Sequence, residues 1–197
     1  MQWFEEKQKQ AHMLFQQLPE PKKEKQDIGE LSCEGLSFEK RRGEGEKENE
    51  AIQILSCPEN VLCMTHKELG NYPEQEALFK KYFSSLLPAE ESKYHGLHYA
   101  AVKTVLFIYV PKEVQAKIPL RMKKNSQFEE TQAHHVLVVA EPMSSLTILD
   151  EETGTENNPS FASSFVEVFV QENSEVTYMF LQNENQQTQV HIQKKAQ

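Results

Sequence analysis

The residues of this chain whose types and spacing could do chemistry are its cysteines and histidines. Cys57, Cys63 and His66 form a C-x5-C-x2-H cluster, and Cys33 could bring a fourth ligand to a tetrahedral zinc site. The gap between the two cysteines is wider than in most zinc knuckles, and Cys33 lies in a densely charged stretch. Cys57, Cys63 and His66 are therefore weak metal candidates, set against the plainer reading of small buried thiols near a helix start. His134 and His135 are neighbours on a predicted strand, so their side chains point to opposite faces and cannot grip one ion together; this puts one at the rim of the fold and the other on its surface. His95 and His98, three residues apart on a predicted helix, could share a face as ligands, although packing of His98 beside Tyr94 is the simpler use. No serine or cysteine sits in a nucleophile motif and no glycine-rich loop could cradle a phosphate, so no catalytic residue is assigned.

The elements that must position these groups change character along the chain. Twelve of the 13 valines lie beyond residue 101, and of the seven glycines only Gly154 lies beyond residue 96. The front therefore reads as helix and linker, the back as strand. Phe4, Ala11, Leu14, Phe15 and Leu18 recur at helical spacing and predict an amphipathic helix over residues 3 to 18, ended by Pro19 and Pro21. Sixteen of the 29 residues from 22 to 50 are charged, which marks a linker. Leu78, Phe79, Tyr82, Phe83, Leu86 and Leu87 predict a second helix from Pro73 to Leu87, and Tyr94, Leu97, His98 and Ala101 a third over 90 to 101. The period then changes from helical to alternating, so the expected division is a helical N-terminal region, 1–102, followed by a strand domain, 103–197.

Within the second region the sequence repeats itself at a shift of 30. Leu106, Ile108 and Val110 fall on Val136, Val138 and Ala140, then on Val166, Val168 and Val170; Ala116 and Ile118 fall on Leu146 and Ile148, then on Val176 and Tyr178. A fixed period holding strand patterns, with no helix between the strands, predicts a mainly β fold, the opening turns of a parallel β-solenoid with like residues stacked inward. An antiparallel sandwich is the competing architecture, with a cupin-like jelly roll as a minor one. The outward positions Phe107, Leu137, Tyr109, Val139 and Phe169 are largely apolar, with Glu167 the exception, which suits a face covered by the helical region or another protein better than one holding sugar.

Composition sets further bounds. A net charge of −9 has the wrong sign for holding nucleic acid or an anionic membrane by bulk electrostatics. The one basic run, Lys40 to Arg42, is neutralised by Glu39, Glu44, Glu46 and Glu48. No apolar run approaches a membrane span, the N-terminus is the reverse of a signal peptide, and three cysteines fit free thiols in a reducing compartment, so a soluble, cytoplasmic protein is expected.

Phe107-Ile108-Tyr109-Val110-Pro111-Lys112-Glu113-Val114, followed by Ile118-Pro119-Leu120-Arg121, resembles the SufB/SufD family of iron-sulfur cluster assembly proteins. The likeness continues through His135 to Glu141 and Ser145 to Glu151, and Val166 to Val176 looks like the next copy of the same unit. Trp3 to Pro21 is similar to the helix and L-P-x-P end that open SufD chains, which favours SufD over SufB. Glu113 stands where the family usually has glycine, so that turn is expected to avoid a positive φ. The resemblance implies a right-handed parallel β-helix and a non-catalytic scaffold subunit in a hetero-oligomer with SufB and SufC homologues, with ATP hydrolysis on SufC. It implies no firm cofactor of the chain's own, the iron-sulfur cluster being met only through the assembled complex. Family members continue through more turns and a C-terminal helical domain, which would carry the contacts to SufC and the cluster-holding residues, so none of those residues transfers here. The expectation is an N-terminal fragment, a split subunit, or an open edge that a partner covers. The alternatives are a stand-alone metal or small-ligand binding module built on the cysteine cluster, and a β-solenoid carbohydrate enzyme, which requires a carboxylate-lined outer groove.

Overall fold

A computed structural model describes residues 2–19, 52–126, 131–154, 160–183 and 188–197. The charged stretch from 22 to 50, with Cys33, lies outside the described residues. The fold is mainly β, with two sheets and an N-terminal helix. Helix α1 (Gln2–Gln17) is followed by β1 (Ile52–Ser56), β2 (Leu62–Thr65), α2 (Pro73–Tyr82) and α3 (Lys93–Ala101). Seven strands follow: β3 (Val105–Val110), β4 (Leu120–Ser126), β5 (Thr131–Ala140), β6 (Ser145–Gly154), β7 (Ser160–Val170), β8 (Glu175–Asn183) and β9 (Thr188–Ala196).

From β3 onward the chain alternates between the sheets, whose orders are β1-β4-β6-β8 and β2-β3-β5-β7-β9. Every pair from β3 onward is parallel. The antiparallel sandwich is thereby excluded. The stacking is the repeat read from the sequence: Leu106 sits on Val136 and Val136 on Val166, while Leu146 sits on Val176.

One half of that repeat needs correction. The matching of Ile118 to Ile148 fails, because Leu120 pairs with Ile148 and is fully buried, whereas Ile118 is 54% exposed. A bridge between Gln115 and Ser145 holds the 30-residue offset as far as Ala116. Pro119, lacking an N–H, cannot enter the ladder, and the chain bows out before resuming two residues later.

The turns hold a second correction. Glu113 has φ 66°, and its equivalents Met143 and Asn173 have φ 60° and 56°. The expectation that Glu113 avoids a positive φ is overturned by stacking. The Glu113 N–H donates to Pro142 O at 3.0 Å and the Met143 N–H to Glu172 O at 3.0 Å, so these two left-handed residues each hydrogen-bond the next turn. Those bonds offset the roughly 1–2 kcal/mol a non-glycine residue spends in this conformation.

Two layers of core follow from strand alternation. Leu106, Ile108, Val110, Leu120, Val136, Val138, Ile148 and Val166 fill the space between the sheets. The opposite face of the five-stranded sheet presents Phe107, Leu137, Val139, Phe165 and Phe169 to the helices, which return Phe4, Phe79, Phe83 and Tyr99. The apolar outward positions thus serve as the seat of the helical region. Helix α1 lies close enough on α3 that a Cβ at Gly96 would stand 3.0 Å from the backbone nitrogen of Phe15, so a larger residue there would push the helices apart.

Strands β1 and β2 pair antiparallel with β4 and β3 and cover the first edge of each sheet. Helix α2 is shorter than its apolar pattern predicts. It ends at Tyr82, Ser84 adopts φ 65°, and the backbone from Ser84 to Leu87 turns its N–H groups toward the sheet.

Candidate functional site

Three groupings of chemically capable side chains emerge. The first lies beneath the helices. Glu167, which strand register places outward on β7, accepts the backbone N–H of Ser84 at 2.8 Å, of Leu86 at 2.7 Å and of Leu87 at 3.2 Å, and the Nε2–H of His135 at 3.1 Å. His135 Nδ1 in turn lies 3.0 Å from His98 Nε2, and His98 Nδ1 lies 2.8 Å from Ser163 Oγ. With both rings neutral, one assignment satisfies every group: Ser163 donates to His98, His98 to His135, and His135 to Glu167. Burial alone would raise the Glu167 carboxyl, but hydrogen bonds from His135, Ser84 and Leu86 hold it below its ordinary value. Burial, with His135 beside it, pushes His98 well below the ordinary histidine range. Serine, histidines and carboxylate are lined up as in a hydrolase, yet Ser163 and His98 are fully buried, so this is a clamp between β7 and the 84–87 backbone.

The second grouping lies between the sheets. Lys124 Nζ donates to Asp150 at 2.7 Å and to Ser164 Oγ at 3.0 Å, and the Tyr178 hydroxyl also donates to Asp150. Glu152 and His134 share this interior and, among the described residues, none of their side-chain oxygens or ring nitrogens has a hydrogen-bond partner. Burial pushes the Glu152 carboxyl up, opposed by Lys124 and aided by Asp150. Burial, with Lys124 adding to it, pushes His134 down to about 3.

The third grouping is the cysteine cluster. Cys57 and Cys63 come together with sulfurs 2.8 Å apart, and Cys57 Sγ lies 3.3 Å from Val61 O. His66 does not join them. Cys63 faces the interior core, whereas His66, three residues on, stacks on Phe4 under the helices with ring centroids 4.1 Å apart and accepts the Val105 N–H at Nδ1. Strand alternation separates the thiols from the imidazole. Among the described residues no set of three histidine, cysteine or acidic groups could hold a metal ion.

The other histidine expectations fare unevenly. His134 and His135 do point to opposite faces, but neither reaches the rim or the surface: both are buried, one between the sheets and one under the helices. His98 stacks on Phe165, ring centroids 3.7 Å apart, rather than serving with His95, whose Nδ1 lies 2.9 Å from Pro88 O. Sequence reasoning noted Glu167 only as the charged exception on an apolar outward face, and missed Lys124, Asp150 and Glu152 as a group between the sheets.

Comparison with known proteins agrees with the motifs. Residues 121–197, which contain all of β4 to β9 except Leu120, match the family described as SUF system FeS cluster assembly, SufBD core domain. An iron-sulfur cluster assembly SufBD family protein of Staphylococcus aureus strain MRSA252 is 35% identical over 117 residues, covering 56% of this chain and 24% of the relative. The counterpart from Staphylococcus saprophyticus is 34% identical over the same length. Over this stretch the chain is similar to the SufB/SufD family. It spans about a quarter of the length of the curated relatives it matches.

Proposed function

We propose that this chain is a non-catalytic, SufD-like scaffold subunit of a SUF iron-sulfur cluster assembly complex, working in the cytoplasm as a hetero-oligomer with SufB and SufC homologues. Its strand region forms the opening turns of a right-handed parallel β-helix, and its helices brace one face of that rod. The observation that carries this reading is the coincidence of family match and parallel stacking: the segment that matches the SufBD core is the segment whose strands stack in steps of about 30 residues. The buried polar groups support a structural role, since the serine, histidines and carboxylate that could form a reactive relay tie the helical region to the sheet. Nascent cluster is cargo of the assembly, and the chain carries no resident cofactor. Net charge of −9 speaks against nucleic acid, and no helix among the described residues is long and apolar enough to cross a membrane.

The test is co-purification of the tagged chain with SufB and SufC homologues from the same source, with mass and metal content measured on the eluate. A defined complex is expected. A monomer carrying stoichiometric zinc or iron would overturn the reading in favour of the metal-binding module, which the meeting of Cys57 and Cys63 favours and the position of His66 opposes. Soluble aggregate without partners would also overturn it. The carbohydrate-enzyme reading finds little support, because the outward face of the five-stranded sheet is seated under the helices and its Glu167 is spent on backbone amides.

A further inference from the structure

Among the described residues, the thiol pair is a meeting of nucleophilic side chains that the scaffold reading does not use. Cys57 follows directly on β1, in the four-stranded sheet, and Cys63 lies within β2, in the five-stranded sheet. The short link between them is where the chain passes from the first edge of one sheet to the first edge of the other. Their sulfurs, 2.8 Å apart, need to close by only about 0.75 Å to reach the roughly 2.05 Å of a disulfide. Neither cysteine is fully buried, so a small reagent can reach the pair.

We propose that Cys57 and Cys63 are a modification site, a dithiol that a small disulfide such as oxidised glutathione converts reversibly to an intramolecular disulfide clamping the first edges of both sheets. Cys57 lies just past the end of β1 whereas Cys63 is held within β2, and burial with the adjoining Cys57 raises the Cys63 thiol above its ordinary value, so the exchange starts at Cys57 and Cys63 resolves it. Cys57, as thiolate, attacks one sulfur of oxidised glutathione, forming a mixed disulfide and expelling one glutathione thiolate. The Cys63 sulfur, losing its proton, then attacks Cys57 Sγ and expels the second. Two protein thiols are oxidised to one disulfide, and one glutathione disulfide is reduced to two thiols, which take up the two protons. The clamp concerns strands that cover sheet edges, so its consequence is local: oxidation fixes β1 to β2 without touching the helix clamp at Glu167. This site stands whether or not the chain works in cluster assembly.

The test uses the full chain carrying Cys33→Ser, which leaves Cys57 and Cys63 as its only thiols. The chain is equilibrated with graded mixtures of oxidised and reduced glutathione, once folded and once in urea, then quenched in acid, alkylated and weighed. The expected result is a folded chain that loses two hydrogens and resists alkylation, with a disulfide-to-dithiol ratio at least about tenfold above that in urea, because the fold raises the effective concentration of one thiol at the other. Adding Cys63→Ser should trap glutathione on Cys57. A ratio no higher folded than unfolded would overturn the proposal, as would alkylation of both thiols across the series, or protection of both without loss of mass, the sign of a bound metal. If Cys33→Ser fails to fold, peptide mapping of the unaltered chain reads the same ratio.

Discussion

Glu167 and Glu152 are the same residue type, both lie on strands of the repeat, and both are fully buried. Their surroundings drive them in opposite directions. Glu167 gathers three backbone N–H groups and an imidazole N–H, and its carboxyl is held down. Glu152 finds no hydrogen-bond partner among the described residues, and its carboxyl is pushed up. The difference teaches that burial of a charge says nothing about stability until its partners are counted. The outer charge is the acceptor that lets a non-helical stretch of backbone leave water, whereas the inner one shares an ion cluster in which Lys124 is already engaged by Asp150.

The sharpest way to break this contrast is to remove each carboxylate in turn. Glu167→Leu should cost about 3–5 kcal/mol in urea unfolding, because it strands three amides and His135 without an acceptor, and Glu167→Gln should recover part of that loss. If Glu167→Leu proved as stable as the parent, the clamp would be no clamp. Acid supplies the next largest effect. His134 in the unfolded chain takes up a proton near its ordinary 6.5, whereas in the folded chain it resists down to about 3. Its contribution is fully present above pH 6.5 and is lost as pH falls, at about 1.4 kcal/mol per pH unit. His66 and His191, each pushed down to about 4 mainly by burial, add slope of the same sign. Glu152, with its folded value raised, acts oppositely: its contribution is present below its unfolded value and is lost as pH rises. Unfolding midpoints at pH 7.5 and 5.5 should therefore show a net loss on the acid side, and His134→Leu should flatten it.

Glu152→Leu is expected to be neutral or to stabilise by about 1–2 kcal/mol at pH 7, since it removes a buried charge with no hydrogen bond; a loss comparable with that of Glu167→Leu would erase the distinction between the two regions. The smallest effect belongs to the turns, where the stack imposes a conformation on an unsuited residue. Glu113→Gly keeps the hydrogen bond to Pro142 O while removing the side-chain penalty, and should raise the denaturant midpoint by an amount worth about 1 kcal/mol.

Much of the fold was legible in the sequence where one local rule decided it. The 30-residue ladder of Leu106, Val136 and Val166 appeared as written, because alternation fixes which face a residue takes and stacking rewards like on like. Helices α1 and α3 followed from their apolar spacing. The misses share one cause, a tertiary partner overriding a local pattern. Leu86 and Leu87 carry helical spacing, yet their N–H groups go to Glu167, more than 75 residues away. His134 and His135 alternate as expected, but covering layers on both sides of the sheet turn a predicted rim and surface into two interiors. The candidate site was legible only in its cysteines: the proximity of Cys57 and Cys63 in sequence suggested a pair, and the strand geometry that removes His66 from it did not show.

What the sequence determined by itself is the repeat, the face each repeated residue takes, and the likeness to the SufBD core that its motifs carry, because these depend on order and spacing along one strand at a time. Only the tertiary structure decided which buried charges are satisfied, which turn must bend left-handed, and which two of three candidate ligands meet. Each of those depends on atoms brought together from distant parts of the chain, and hydrogen bonds and ion pairs, unlike hydrophobic burial, are made or lost over an ångström or less.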